Sequence, residues 1–139
     1  MIEVEENLRP ADFEEFVMST GRHPRGVFRQ GVADAYVALC GIVDGRPACV
    51  FGLSFDGDTP APWFMGTPAI EGRDVTRVML REGRRLFRSW AKKFGPLRHW
   101  AYAKNDLHIR YIEALGCEVK PPAPRGPLLA PFREFTYRV

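Results

Sequence analysis

Cysteine, histidine and long apolar runs are all scarce in this 139-residue chain, and each scarcity removes a class of protein. Its three cysteines, Cys40, Cys49 and Cys117, stand far apart and form no Cys-x-x-Cys pair. A disulfide framework or a compact zinc or redox motif is therefore not expected; the thiols read as buried and reduced. The three histidines, His23, His99 and His108, never recur at the three- or four-residue spacing that puts two ligands on one helical face, so no metal site is expected. The longest apolar run, Ala35 to Val43, falls far short of the roughly eighteen residues of a membrane-spanning helix. The acidic start Ile2-Glu3-Val4-Glu5-Glu6 lacks the basic-then-apolar order of a signal peptide, so neither membrane insertion nor secretion is expected.

What remains is an ordinary globular composition, 45% hydrophobic and 27% charged, in a length that suits one domain spanning residues 1–139. The net charge of +3 conceals an uneven distribution. Residues 1–20 carry Glu3, Glu5, Glu6, Asp12, Glu14 and Glu15 against Arg9 alone. Residues 71–94 carry eight basic side chains against Glu71, Asp74 and Glu82. Within that stretch Arg73, Arg77, Arg81, Arg84 and Arg88 recur every three or four residues, opposite an apolar face formed by Val75, Val78, Met79, Leu86, Phe87, Trp90 and Phe94.

Periodicity and turn residues predict the elements. Ile2–Glu5 reads as a short strand. Pro10–Val17 reads as an amphipathic helix with Phe13, Phe16 and Val17 on one side, and Gly21–Gly31 as a break. Tyr36–Val43 and Ala48–Phe55 flank Asp44-Gly45 as a hairpin, extended by Pro62–Met65 into a meander. A long helix over Val75–Phe94 ends at Gly95-Pro96 and leads to a strand over Leu97–Ala103, a crossing that implies a parallel pairing nearby. Asn105 or Asp106 caps a short helix stopped by Gly116, and Cys117–Lys120 is a strand. Five prolines between Pro121 and Pro131 predict a stiff loop before a last strand over Phe132–Val139.

This order of elements resembles the GNAT acetyltransferase fold. The resemblance implies an α+β domain with a central mixed sheet of about six to seven strands, flanked by three to four helices and split between its fourth and fifth strands to admit acetyl-coenzyme A. The stretch from Trp100 to Gly116, with Asn105 eleven residues before Gly116, is similar to the helix that follows the split in that superfamily. Within it, His108-Ile109-Arg110-Tyr111-Ile112 resembles a narrower group, the acetyltransferase-like internal virion proteins of short-tailed bacteriophages, as do the chain length, the basic helix and the Phe135-Thr136-Tyr137 strand. That group implies a particle-assembly protein in the bacterial host cytoplasm, or inside the virion, with other phage virion or assembly proteins as partners.

Acetyl transfer would need N–H groups converging on a diphosphate at a helix start. GNAT enzymes use an Arg or Gln, two residues, then Gly-x-Gly or Gly-x-Ala; here the segment reads Gly66-Thr67-Pro68-Ala69-Ile70-Glu71-Gly72-Arg73-Asp74. Pro68 removes a donor, and Glu71 and Asp74 place negative charge where phosphate would sit. If acetyl-coenzyme A binds, Gly66, Thr67, Gly72, Arg73 and Asn105 are the candidates to hold it. The resemblance also calls for a proton-donating tyrosine seven residues after the asparagine; Ile112 stands there, with Tyr111 about 100° round the helix. Glu71 and His99 are generic base candidates, and His99 is expected to satisfy a hydrogen bond on one strand face. The expectation is an assembly protein without acetyl transfer or a cofactor. An active N-acetyltransferase is the main alternative and a nucleic-acid-binding module using the arginine helix a remoter one. The partner surface is expected at Arg77, Arg81, Arg84, Arg88, His108 and Arg110.

Overall fold

A computed structural model describes residues 2–139. The segment read as a first strand is instead a short helix, α1 (Ile2–Glu6). A strand would send Val4 and Glu5 to opposite faces, whereas neighbours on a helix lie about 100° apart and both can turn inward. Both do. Val4 packs against Phe16, Phe28 and Val50, while the buried Glu5 carboxylate accepts the Gly26 N–H at 2.9 Å and faces Arg29 at 3.4 Å. So short a helix depends on those tertiary contacts.

Helix α2 (Pro10–Thr20) starts at the predicted proline and stops at Gly21, whose left-handed φ of 71° lets its N–H reach the Val17 carbonyl at 2.7 Å. Its buried face differs from the predicted one. Asp12, Glu15 and Phe16 turn inward, and Phe13 is exposed, edge-on to His23. The predicted break ends at Gly26, where α3 (Val27–Ala33) begins.

The meander forms as predicted: β1 (Val37–Val43), β2 (Arg46–Asp56) and β3 (Thr59–Gly66), all antiparallel. Asp44 and Gly45, with φ of 50° and 75°, close the first hairpin by the two successive positive-φ residues that a tight two-residue turn demands. A 3₁₀ turn (Pro68–Glu71) leads into α4 (Arg73–Phe94), which ends at Gly95 as predicted. Strand β4 (Leu97–Tyr102), helix α5 (Asp106–Ala114) capped by Asn105, and β5 (Glu118–Val119) follow. The proline-rich segment is not all loop: Ala123–Arg125 forms β6 against β7 (Ala130–Tyr137), with Pro124 opposite Pro131. At the margin of a sheet the missing proline N–H costs no ladder bond.

Among the described residues seven strands and five helices give the predicted α+β architecture, with more helices than the three to four expected because Ile2–Glu6 and Val27–Ala33 are helical. The strands form two sheets, β1-β2-β3 and β4-β7-β5 with β6 also on β7. The parallel pairing expected from the β3–α4–β4 crossing is absent. The two strands are neighbours without a hydrogen-bonded ladder, so the sheet parts between them. Helices cover both faces: Phe87, Trp90 and Ala91 of α4 meet Leu53, Leu97 and Leu115, and α1 to α3 cover Val50 on the other side. Gly83 of α4 is buried against Tyr111, where a Cβ would collide with the hydroxyl. Of the thiols expected to be buried, Cys49 is, Cys117 is half-buried and Cys40 is exposed on β1. No described helix is long and apolar enough to cross a membrane.

Phe87 and Trp90 are each 9% exposed, whereas the Arg81 side chain is 73% exposed. Phe87→Ala and Trp90→Ala should each cost about 3–5 kcal/mol of unfolding free energy, and Arg81→Ala under about 0.5 kcal/mol, in chemical denaturation.

Candidate functional site

Helix α2 lies across the parting of the sheets and ties its two lips together. The Gly66 N–H at the end of β3 donates to Asp12 Oδ2 at 2.8 Å, and the Tyr102 N–H at the end of β4 donates to Glu15 Oε1 at 3.0 Å. Asp12 and Glu15 can do this because residues three apart share a helical face. Between them sits the fully buried Asn105, whose Nδ2 donates to Asp12 at 2.8 Å and Glu15 at 3.3 Å, while its Oδ1 accepts the His108 N–H at 3.4 Å. Arg9 completes the cluster. Its side chain donates to Asp12 at 3.0 Å, and its own N–H donates to the Gly66 carbonyl at 2.8 Å.

Burying two carboxylates is costly unless each is paired and hydrogen-bonded, and here both are. Burial still pushes the Asp12 carboxyl up, against the opposing pull of Asn105, Arg9, His108 and the Gly66 N–H. His108 is also mostly buried and joins Glu15 through Nδ1 at 3.0 Å. Burial by itself would lower this imidazole; the charge and hydrogen bond of Glu15, with Asp12 behind, raise it above the ordinary histidine value. His99 shows the opposite balance: burial pushes it down to about 4, and its ring stands edge-on to Phe135. A cavity of about 540 Å³ opens beside the cluster, lined in part by Glu15, Ser19, Trp63, His99, His108 and Arg125. Arg125 lies 4.2 Å over the Trp100 ring on the same wall. The site therefore offers a carboxylate-held imidazole that donates a proton below its raised pKa, beside a neutral imidazole.

The segment expected to cradle phosphate is closed on itself. The Gly66 N–H is held by Asp12, the Thr67 N–H by the Ala48 carbonyl at 2.8 Å, and the Ala69 and Ile70 N–H groups by the Thr67 hydroxyl and carbonyl. Pro68 has none to give. Gly72 and Arg73 open α4 with Asp74 in its first turn and the exposed Glu71 beside it, 3.8 Å from Arg9. Asn105 spends its amide on the cluster and on capping α5. Of the five residues named for acetyl-coenzyme A, Gly66, Thr67 and Asn105 spend their donors within the chain, whereas Gly72 and Arg73 stand at the start of α4, which no side chain caps. Ile112 is buried, and the Tyr111 hydroxyl donates to the Met79 carbonyl at 2.7 Å, with burial pushing the phenol well up. A second cavity, apolar and about 400 Å³, lies between the first sheet, α4 and α5 and reaches Phe135 of β7 across the parting.

The remaining candidates separate. Arg73, Arg77, Arg81, Arg84 and Arg88 are exposed along α4, and Arg84 donates to the Ala114 carbonyl at 3.3 Å. Arg110 is exposed as expected, but His108 is not a surface residue; it faces the cluster because Glu15 compensates its burial. Among the described residues no group of three His, Cys, Asp or Glu side chains is placed to hold a metal ion. Arg9, Asp12 and Glu15 were missed as site residues because they read as part of an acidic, solvated segment. Their spacing with Phe16 on one helix face was the available clue.

No protein-family model matches the sequence, and a search of curated proteins finds no significant relative. Solved structures do match in fold. An acetyltransferase from Agrobacterium tumefaciens superposes with a TM-score of 0.60 over 84% of this chain and 71% of its own, at 19% identity. A GNAT-family acetyltransferase from Streptococcus pneumoniae gives 0.58 over 82% and 72%, at 13% identity. An aminoglycoside acetyltransferase, solved with coenzyme A and kanamycin, gives 0.62 over 98% and 86%, at 14% identity. The chain has the GNAT fold.

The two histidines make opposite contributions to stability. Between pH 6.5 and 5 an unfolded His99 binds a proton that the folded one refuses, so its contribution falls as pH falls. His108 binds its proton more tightly when folded, so its contribution is full below about pH 6.5 and is lost as pH rises through its raised value. In denaturation curves across pH 5–8, His99→Asn should gain about 2 kcal/mol on wild type between pH 6.5 and 5. His108→Asn should be most destabilised at the acid end and approach wild type at the alkaline end.

Proposed function

We propose that this protein is a particle-assembly component of a bacteriophage, a single GNAT-fold unit that works by docking to other virion or assembly proteins and does not transfer acetyl groups. The observation that carries the loss of transfer is the closed loop from Gly66 to Ile70, whose N–H groups are all bonded within the chain or absent. The sequestered Asn105 and the Tyr111 hydroxyl tied to α4 support the same reading. The assembly role rests on the resemblance of the Trp100–Gly116 segment to internal virion proteins, and places the protein in the host cytoplasm during assembly or inside the particle. An active acetyl-coenzyme A-dependent N-acetyltransferase is the second reading, favoured by the Glu15–His108 pair beside a roomy cavity at the parting of the sheets.

One titration separates the two. Acetyl-coenzyme A at a hundredfold excess over its dissociation constant would stabilise a binding protein by about 2.7 kcal/mol. We expect no rise in melting temperature, and a rise that needs the diphosphate would establish the second reading.

The exposed arginines of α4 are the densest charge available for docking, and bidentate arginine pairs to acidic surfaces act collectively because each alone is weak. A combined Arg77→Glu, Arg81→Glu, Arg84→Glu variant should keep its circular dichroism spectrum yet fail to complement a phage lacking the protein. Normal particle yield from that folded variant would move the docking surface elsewhere.

A further inference from the structure

Glu15 is held by one of its two oxygens. The Tyr102 N–H, the Asn105 amide and His108 Nδ1 all converge on Oε1, and no donor of the described residues reaches Oε2. The side chain is only 8% exposed. Oε2 is nevertheless not sealed in, because Arg9 Nε is the one fully enclosed side-chain nitrogen or oxygen among the described residues that lacks a partner. The open space beside Glu15 is the cavity of about 540 Å³ that it lines. A carboxylate oxygen so deep and unbonded calls for a donor from outside the chain.

Other features of the same cavity specify the molecule that would bring that donor. His108 uses only Nδ1 of its ring, so below its raised pKa the free Nε2 is a donor beside the Glu15 acceptor. An acceptor next to a donor matches the edge of a nucleobase, where an N–H neighbours a carbonyl or a bare ring nitrogen. Trp63, Phe64 and Phe132 line the cavity with the flat rings on which a base stacks. His99 lines it too, with no hydrogen bond to the chain, and its neutral ring offers one donor and one acceptor to sugar hydroxyls. Arg125, exposed at the rim over the Trp100 ring, has no carboxylate partner, and its planar fork suits a phosphate. The volume falls in the range of pockets that enclose a drug-sized molecule, and a single small ring would leave most of it empty.

We propose that this cavity binds a nucleoside monophosphate, with Glu15 Oε2 and His108 Nε2 on the edge of the base and Arg125 on the phosphate. The assignment is independent of acetyl transfer, since none of these residues belongs to the segment from Gly66 to Ile70.

Calorimetric titration of the full chain at pH 6 with the 5′-monophosphates of adenosine, guanosine, cytidine and uridine should show saturable one-to-one binding of at least one. The matching nucleoside should bind about tenfold more weakly, and so should the nucleotide to Arg125→Ala. Glu15→Gln keeps an oxygen for Tyr102, Asn105 and His108 but turns the free acceptor into a donor, and should weaken binding at least about tenfold. Ser19→Trp tests the site without touching that network, because Ser19 Oγ bonds only the Phe16 carbonyl of its own helix. The indole should fill the cavity and abolish binding while the circular dichroism spectrum and melting temperature stay those of wild type. Absence of saturable binding by all four nucleotides would overturn the proposal. So would nucleotide binding that survives Ser19→Trp, and so would a nucleoside that binds as tightly as its nucleotide.

Discussion

Two carboxylates on one turn of α2 hold the halves of this molecule in register. Asp12 takes the last N–H of β3 and Glu15 the last N–H of β4, so the sheets that fail to pair with each other are both paired to α2. Asn105 and Arg9 complete the pairing, and Asn105 simultaneously starts α5, which carries His108 back onto Glu15. Each group satisfies more than one neighbour, so removing any one leaves a buried charge or amide unpaired. Such networks stand or fall as a unit.

The same network also takes up the first donor of the segment that the sequence offers as a phosphate cradle. The N–H groups at the end of β3 sit where a phosphate cradle would begin, and in this chain a protein carboxylate already occupies the first of them. The Pro68 turn then uses the next donors to fold back on Thr67. Glu71 and Asp74 set negative charge on either side of the uncapped start of α4, where the macrodipole would otherwise favour an anion. The exposed arginines lie farther along α4, on its solvent side.

Elements with strong local physics were legible in the sequence. The Asp44-Gly45 hairpin, α4 with its Gly95 stop, and α5 all follow from turn residues or periodicity alone, and all formed, with Asn105 and not Asp106 as the cap of α5. The departures are places where a tertiary partner decided. Ile2–Glu6 became a helix because Val4 and Glu5 both found buried partners, and His108 went inside because Glu15 was there to receive it. Phe13 lost its place on the core face to Asp12, whose partners Gly66 and Asn105 lie more than fifty residues away. A carboxylate that will be buried looks in the sequence like one that will be solvated, because the difference lies wholly in what the rest of the chain brings to it.

The tied parting and the unpaired edge of β1 both follow from the way Ile2–Glu6 folds. By folding as a helix, Ile2–Glu6 sets Val4 on the face of β2 and anchors Glu5 to the start of α3, which fixes the line along which α2 leaves. That line carries Asp12 and Glu15 over the ends of β3 and β4. Because the segment is spent on the face of the sheet, it cannot also extend the sheet, and β1 keeps its outward backbone groups. At the parting Asp12, Glu15 and Asn105 are each hydrogen-bonded internally, and the buried Arg9 Nε is left without a hydrogen-bond partner. Five residues thus set both the packing of the first sheet and the position of the carboxylates that join it to the second.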